Sequence, residues 1–196
     1  MLNLVFATNN PNKISEIQAQ LGDAYQFRSL KDIGCLEDVP ETSPTLASNA
    51  EQKARYIREH YGVDCFSEDT GLEVDALDGA PGVITARYAG PARSAEANNA
   101  KIFAELEGKS ERTARFRTFI CLIMNGEEHL FEGRCEGTIA TEVSGEGGFG
   151  YDPIFIPAEG DGRTFAEMTG AEKRQISHRA RAMAKLQDFL KENAKG

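Results

Sequence analysis

Two runs rich in β-branched and aromatic residues, Ala114 to Met124 and Glu128 to Ile139, flank the dipeptide Asn125-Gly126. Asn-Gly is favoured by two-residue hairpin turns, so the second half of the chain is predicted to build a long antiparallel hairpin. The first half has a different rhythm. Leu2 to Thr8 is a short apolar run of strand formers, and Asn9, Asn10, Pro11 and Asn12 lead from it into a helix. Ile14, Ile17 and Leu21 recur there at helical spacing, and Gly22 stops it. From Thr45 to Tyr61, Leu46, Ala50, Ala54, Ile57 and Tyr61 share one helical face, Glu51, Lys53 and Arg55 fall elsewhere, and Gly62 ends the helix. Asp64 to Glu68 is predicted as a strand entering an acidic loop, and Leu72 to Ala76 as its continuation or a paired strand. After a turn over Asp78 to Gly82, helical spacing returns from Ala95 to Leu106 through Ala97 and Ile102. Beyond the hairpin, glycines crowd at 145, 147, 148 and 150 before an apolar strand, Pro153 to Pro157. One helix, Gly170 to Lys191, follows with Ile176, Met183, Leu186 and Leu190 inward. Strands alternating with helices and then a hairpin predict an α/β fold with a mixed central sheet.

The 196 residues, 40% of them hydrophobic, suit one domain or one domain of two lobes, given about 150 residues per domain. A chain of this size can remove about 70% of its unfolded surface from water without a disulfide or structural metal. The longest apolar stretches, such as Phe119 to Met124, fall far short of the roughly 20 residues that span a bilayer, and no basic-then-apolar leader opens the chain. A soluble, cytoplasmic protein without a membrane partner is expected. The four cysteines, Cys35, Cys65, Cys121 and Cys135, form no Cys-x-x-Cys pair and suit small buried hydrophobes in a reducing compartment. The formal charge is −9, from 22 bases and 31 acids, which excludes a global basic footprint for nucleic acid. A protein so charged can handle polyanions only by concentrating its cations or recruiting a divalent metal.

Four segments could do that. Thr8-Asn9-Asn10-Pro11-Asn12-Lys13 runs from a strand into a helix start, where backbone N–H groups and the ammonium of Lys13 suit phosphate oxygens. Glu37, Asp38 and Glu41 precede the second helix, and Glu68 and Asp69 follow it. Carboxylates are natural ligands for magnesium, which takes one or two of them plus substrate phosphates, and another could accept a proton from an attacking water. Asp69 stands out because Ser67-Glu68-Asp69-Thr70-Gly71 follows a predicted strand and ends on a turn glycine. In Gly147-Gly148-Phe149-Gly150-Tyr151-Asp152-Pro153 the glycines permit close backbone approach, Phe149 and Tyr151 offer stacking faces, and Asp152 offers an acceptor for a ring N–H. Lys173 and Ser177 lie four apart, and with His178 and Arg179 they concentrate positive charge on the last helix. Read singly, these are a capped loop, a solvated acidic face, a glycine turn and a solvated helix face. Together they describe a protein that handles nucleotides.

Thr8 to Lys13, Asn49 with Lys53, Ser67 to Gly71, Gly79 to Gly82 with Ala86-Arg87-Tyr88-Ala89-Gly90, Gly147 to Pro153 and Ser177-His178-Arg179 stand in the order and spacing of the Ham1 family, the inosine triphosphate pyrophosphatases, which the chain resembles from Leu4 to about Leu190. The resemblance implies hydrolysis of noncanonical purine nucleoside triphosphates (inosine, deoxyinosine, xanthosine) to the monophosphate and pyrophosphate, with magnesium as cofactor. It implies two lobes around a substrate cleft and a homodimer. By the same likeness Thr8, Asn9, Asn10, Pro11, Asn12, Lys13 and Lys53 would hold the triphosphate, Asp69 would be the general base, and Glu41 would join it on magnesium. Thr70 would touch substrate. Phe149, Gly150, Tyr151 and Asp152 would form the base pocket, with Lys173, His178 and Arg179 closing on the purine and its phosphates. Asn9 stands where many relatives carry glycine and Glu68 where many carry aspartate, and Glu37 and Asp38 remain beside Glu41 as candidate ligands. Two other functions fit parts of the pattern: a Maf-type pyrophosphatase for pyrimidine or modified triphosphates, and a non-catalytic nucleotide sensor.

Overall fold

The computed structural model describes residues 4–21 and 27–193. Its strands are β1 (Leu4–Phe6), β2 (Phe27–Ser29), β3 (Cys65–Val74), β4 (Thr113–Met124), β5 (Glu127–Ile139) and β6 (Phe155–Pro157). They form one sheet in the order β2-β1-β3-β4-β5-β6. Val5 of β1 pairs parallel with Arg28 and with Cys65, whereas Thr138 of β5 pairs antiparallel with Ile156, so the sheet is mixed as expected. Asn125 and Gly126, both at positive φ (54° and 85°), turn β4 into β5. That conformation is the one Asn-Gly adopts at least cost. The helices are α1 (Pro11–Leu21), α2 (Leu46–Tyr61), α3 (Ala95–Glu105), α4 (Gly170–Ile176) and α5 (His178–Asn193).

Two compact units divide the chain, the first within Met1–Asp69, Thr118–Gly133 and Ala180–Gly196, the second within Thr70–Arg117 and Arg134–Arg179. In the first unit, residues 118–123 of β4 are buried without interruption. Alternate side chains explain this, because successive residues of a strand face opposite layers. Phe119, Cys121 and Ile123 pack with Leu46, Ala50, Ala54 and Ile57 of α2, whereas Ile120 and Leu122 pack with Ile17 and Leu21 of α1 and Met183, Leu186 and Leu190 of α5. The second unit gathers Leu72 and Val74, Phe116, Cys135, Ile102 of α3, Tyr151, Phe155 and Phe165 into its own core. All four cysteines are buried, and none forms a disulfide. No helix among the described residues is long and apolar enough to cross a membrane.

Several expectations need correction. The first strand begins within the predicted range, at Leu4; Leu2 and Gly22 lie outside the described residues. β3 is one unbroken strand, so Asp69 lies inside it, and Gly71 is a strand residue rather than a turn. Acidic residues argue against a strand interior only while unpaired, and Glu68 and Asp69 are both paired with lysine. The last helix is two helices: Ser177, at φ −72° and ψ 151°, separates α4 from α5. Lys173 and Ser177 therefore do not share a helical face. Asp152–Ile154 forms a turn of 3-10 helix, which delays β6 to Phe155.

Candidate functional site

In the first unit, two lysines meet on the carbonyl of one strand residue. α2 is started by a reciprocal cap in which Thr45 Oγ1 accepts from Ser48 N at 3.1 Å and Ser48 Oγ accepts from Thr45 N at 3.2 Å. Gly62, at φ 65°, ends it. With its ends so set, α2 buries Asn49 and Lys53 beside Ala50, Ala54 and Ile57. Periodicity had put Lys53 off this face. It is only 5% exposed because its charge is answered inside: Nζ lies 2.6 Å from Glu41 Oε1, 2.7 Å from the Glu68 carbonyl and 3.5 Å from Asp69 Oδ1. Lys13 Nζ, from α1, lies 3.3 Å from Glu68 Oε1 and 3.5 Å from the same carbonyl.

Three carboxylates thus surround two ammonium groups. Burial alone would lower the pKa of Lys53, but Asp69, Glu41 and Glu68 outweigh it and hold the ammonium above its ordinary value. Burial pushes the Asp69 carboxyl up, and Glu41 adds to the rise; Lys53, Lys13 and a hydrogen bond from Asn49 only partly offset it. A carboxyl raised in this way is a better proton acceptor than a surface aspartate.

Helix α2 also places Glu41. Asn49 Oδ1 accepts from Ser43 N at 2.8 Å, and Gln52 Oε1 accepts from Thr42 N at 2.9 Å, which fixes the two residues after Glu41. Gln52 was not singled out from the sequence, although its spacing of three from Asn49 puts both on one side of α2. The neighbouring acids go elsewhere. Tyr61 and Tyr56 donate to Glu37 Oε1 at 2.6 and 3.2 Å, and these bonds, Tyr61 foremost, lower its carboxyl to about 2. Asp38 is exposed. Of the three acids before α2, Glu41 is the one joined to Asp69 through Lys53.

The loop from Thr8 to Lys13 is capped more fully than expected. Asn10 Oδ1 accepts from Asn12 N at 3.0 Å and Lys13 N at 3.4 Å, Ile14 N reaches the Asn10 carbonyl, and Pro11 has no N–H. Asn10 N in turn donates to Thr8 Oγ1 at 3.2 Å. The expected open N–H groups are therefore occupied by a side-chain cap, because asparagine at this position completes the first helical turn itself. Attraction for an anion here resides in the ammonium of Lys13 and in the polar side chains around it. Pro11, Asn12 and Asn9 are exposed.

The second unit organises the glycine loop around one buried ion pair. Asp152 Oδ2 accepts from Lys173 Nζ at 2.7 Å and from Phe149 N at 2.9 Å. A side chain at Gly148, which has φ 67°, would collide with this carboxylate. Lys173 Nζ lies 5.1 Å and Arg179 Cζ 5.6 Å from the centre of the Phe149 ring, and Arg179 Nη2 is 3.4 Å from Thr70 Oγ1. His178 stacks on Phe116 at 4.5 Å and 16°. Thr70, Phe149, Asp152, Lys173 and Arg179 are thus joined by these contacts. Tyr151 is not a stacking face: it is buried in the core, with its hydroxyl donating to the Thr85 carbonyl at 2.7 Å. Its ring supplies apolar area that the core needs, which leaves Phe149 as the aromatic available in this loop.

No group of three or more His, Cys, Asp or Glu among the described residues is placed to hold a metal ion alone. Glu41 and Asp69 offer hard carboxylate oxygens to one cation, Lys53. That donor set fits magnesium, which takes few protein carboxylates and draws other ligands from phosphates and water.

The Ham1 family model matches residues 4–189. The chain is 53% identical over 191 residues to a dITP/XTP pyrophosphatase of Porphyromonas gingivalis, covering 97% of this chain and 98% of that one. It is 44% identical to the dITP/XTP pyrophosphatase of Bacillus subtilis, covering 97% and 98%. Among solved structures, a HAM1 protein from Coxiella burnetii superposes with a TM-score of 0.90 at 37% identity, over 98% of this chain and 100% of that one.

Proposed function

The chain belongs to the Ham1 family, and from that premise we infer that it hydrolyses noncanonical purine nucleoside triphosphates, those of inosine, deoxyinosine and xanthosine, to the monophosphate and pyrophosphate. The names of the relatives support the substrate class. The observation that carries the chemistry is the buried carboxyl of Asp69, held above its ordinary pKa beside two lysines. Asp69 orients a water and takes its proton as the water oxygen bonds to the α-phosphorus, and the bridging oxygen departs with pyrophosphate. Lys13 and Lys53 oppose the charge that gathers on the leaving oxygens. Asp69 and Glu41 are the residues that would hold a divalent cation, magnesium, whose chemistry there is to neutralise phosphate charge.

Thr8 to Lys13 take the phosphate tail with Lys53, and Thr70 contacts the substrate. Phe149, Gly150, Asp152, Lys173, His178 and Arg179 take the base, with the Phe149 ring as its stacking face and the Arg179 guanidinium as donor to the 6-oxo group. Adenine presents an amine there, so donor would oppose donor, and each buried unpaired donor costs about 1 to 3 kcal/mol. A cytoplasmic homodimer is part of the same proposal.

A substrate panel tests it. With magnesium, kcat/KM for deoxyinosine and xanthosine triphosphates is expected to exceed that for deoxyadenosine triphosphate by about a thousandfold, the worth of two such mismatches, one at the 6-position and one at ring N1, where adenine lacks the proton. Pyrophosphate is the expected product, and chelation of the metal should stop its release. Equal turnover of thymidine and uridine triphosphates would contradict the assignment.

A further inference from the structure

Helix α3 carries two adjacent buried asparagines, 4% and 6% exposed, that no step above uses. Asn98 is fully engaged with the segment from Thr85 to Ala89: Oδ1 accepts from Ala89 N at 2.7 Å and Nδ2 donates to the Ala86 carbonyl at 3.1 Å. The Thr85 carbonyl, 3.5 Å from Asn98 Nδ2, is the acceptor for the Tyr151 hydroxyl. Asn99 Nδ2 donates to the Gly150 carbonyl at 3.2 Å, while its buried Oδ1 has no protein partner among the described residues. The two asparagines therefore reach neighbouring residues of the glycine loop, Gly150 directly and Tyr151 through Thr85.

A cavity of about 420 Å³ lies against the α3 residues Asn99 and Phe103 and the loop residues Phe149, Gly150 and Pro153. Beside this space the bond from Asn99 Nδ2 to the Gly150 carbonyl is a directional link between α3 and the loop. Leaving a buried amide oxygen without a partner is costly, and such groups call for an explanation. Here the donor side of the amide supplies one.

We propose that Asn99 is a positioning residue, whose bond to Gly150 fixes the loop so that the Phe149 ring lies against Lys173 and Arg179. Its link to base selection rests on the function assigned above; its link to loop order does not. Asn99→Leu keeps the side-chain volume and removes the donor. Asn99→Gln keeps the donor on one more methylene, for which the cavity has room.

In the full chain, hydrogen–deuterium exchange over residues 145–153 is expected to be about tenfold faster for Asn99→Leu, as for the loss of one hydrogen bond. KM for deoxyinosine triphosphate should rise by about tenfold with kcat changed less than about threefold, and preference over deoxyadenosine triphosphate should fall by about fivefold. Asn99→Gln should restore the exchange rate and the preference. Should Asn99→Leu fail to fold, Asn99→Ala carries the same readouts. Unchanged exchange, or faster exchange with no base-dependent change in KM, overturns the proposal. If the parent protein does not hydrolyse deoxyinosine triphosphate, the assigned function falls, and the exchange rates still decide whether Asn99 positions the loop.

Discussion

Replacing Asp69 with asparagine is expected to lower turnover of deoxyinosine triphosphate by about 10² to 10⁴-fold, the usual worth of a general base, while leaving the chain folded and at least as stable as the parent. The two halves of this expectation have one cause. Burial disfavours the Asp69 carboxylate in the folded protein more than its lysine neighbours favour it, so removing the charge relieves a cost. Lys53 keeps Glu41 and the Glu68 carbonyl as partners. Steady-state kinetics and a thermal melt of the same preparation check both halves. Near-parental turnover would remove Asp69 from the chemistry, and a large fall in melting temperature would mean that its charge holds the fold.

Lys53→Met should do the opposite to stability. The ammonium is the shared partner of Glu41, Asp69 and the Glu68 carbonyl, and the Glu68 carboxylate is fully buried. Methionine matches the length of the stem but removes the charge that answers Asp69 and Glu41, while Glu68 keeps Lys13. Breaking a buried pair from one side costs about 3 to 5 kcal/mol, which lowers the melting temperature by roughly 6 to 20 °C in a chain of this size. Turnover should fall as well, because a charge opposing the leaving group is gone. Differential scanning calorimetry with an activity assay reads both, and a variant that melts within about 1 °C of the parent would show that the buried cluster stores no such energy.

The contrast between these two variants also marks where a sequence stops being legible. Periodicity and turn chemistry are local, so the hairpin at Asn125-Gly126, the α2 run with its Gly62 stop and the mixed sheet could all be read directly. β2 was not anticipated, because three residues centred on Arg28 carry no pattern, and their strand state comes from pairing with β1. Lys53 and Asp69 were misplaced for one reason: each looks unfit for a buried face or a strand interior until its partner arrives from a distant segment. The candidate site residues stand in motifs that can be read locally. Their states cannot, since the burial of Tyr151 beneath Thr85, the Asn10 cap and the separation of Glu37 from Glu41 depend on contacts formed only in the fold.

The central claim is that a water readied by Asp69 attacks the first phosphorus of the nucleotide. Hydrolysis of deoxyinosine triphosphate in ¹⁸O-enriched water, with the products separated and weighed by mass spectrometry, tests it most directly. The account predicts one heavy oxygen in the monophosphate and none in pyrophosphate; label in pyrophosphate, or release of labelled orthophosphate, would contradict it.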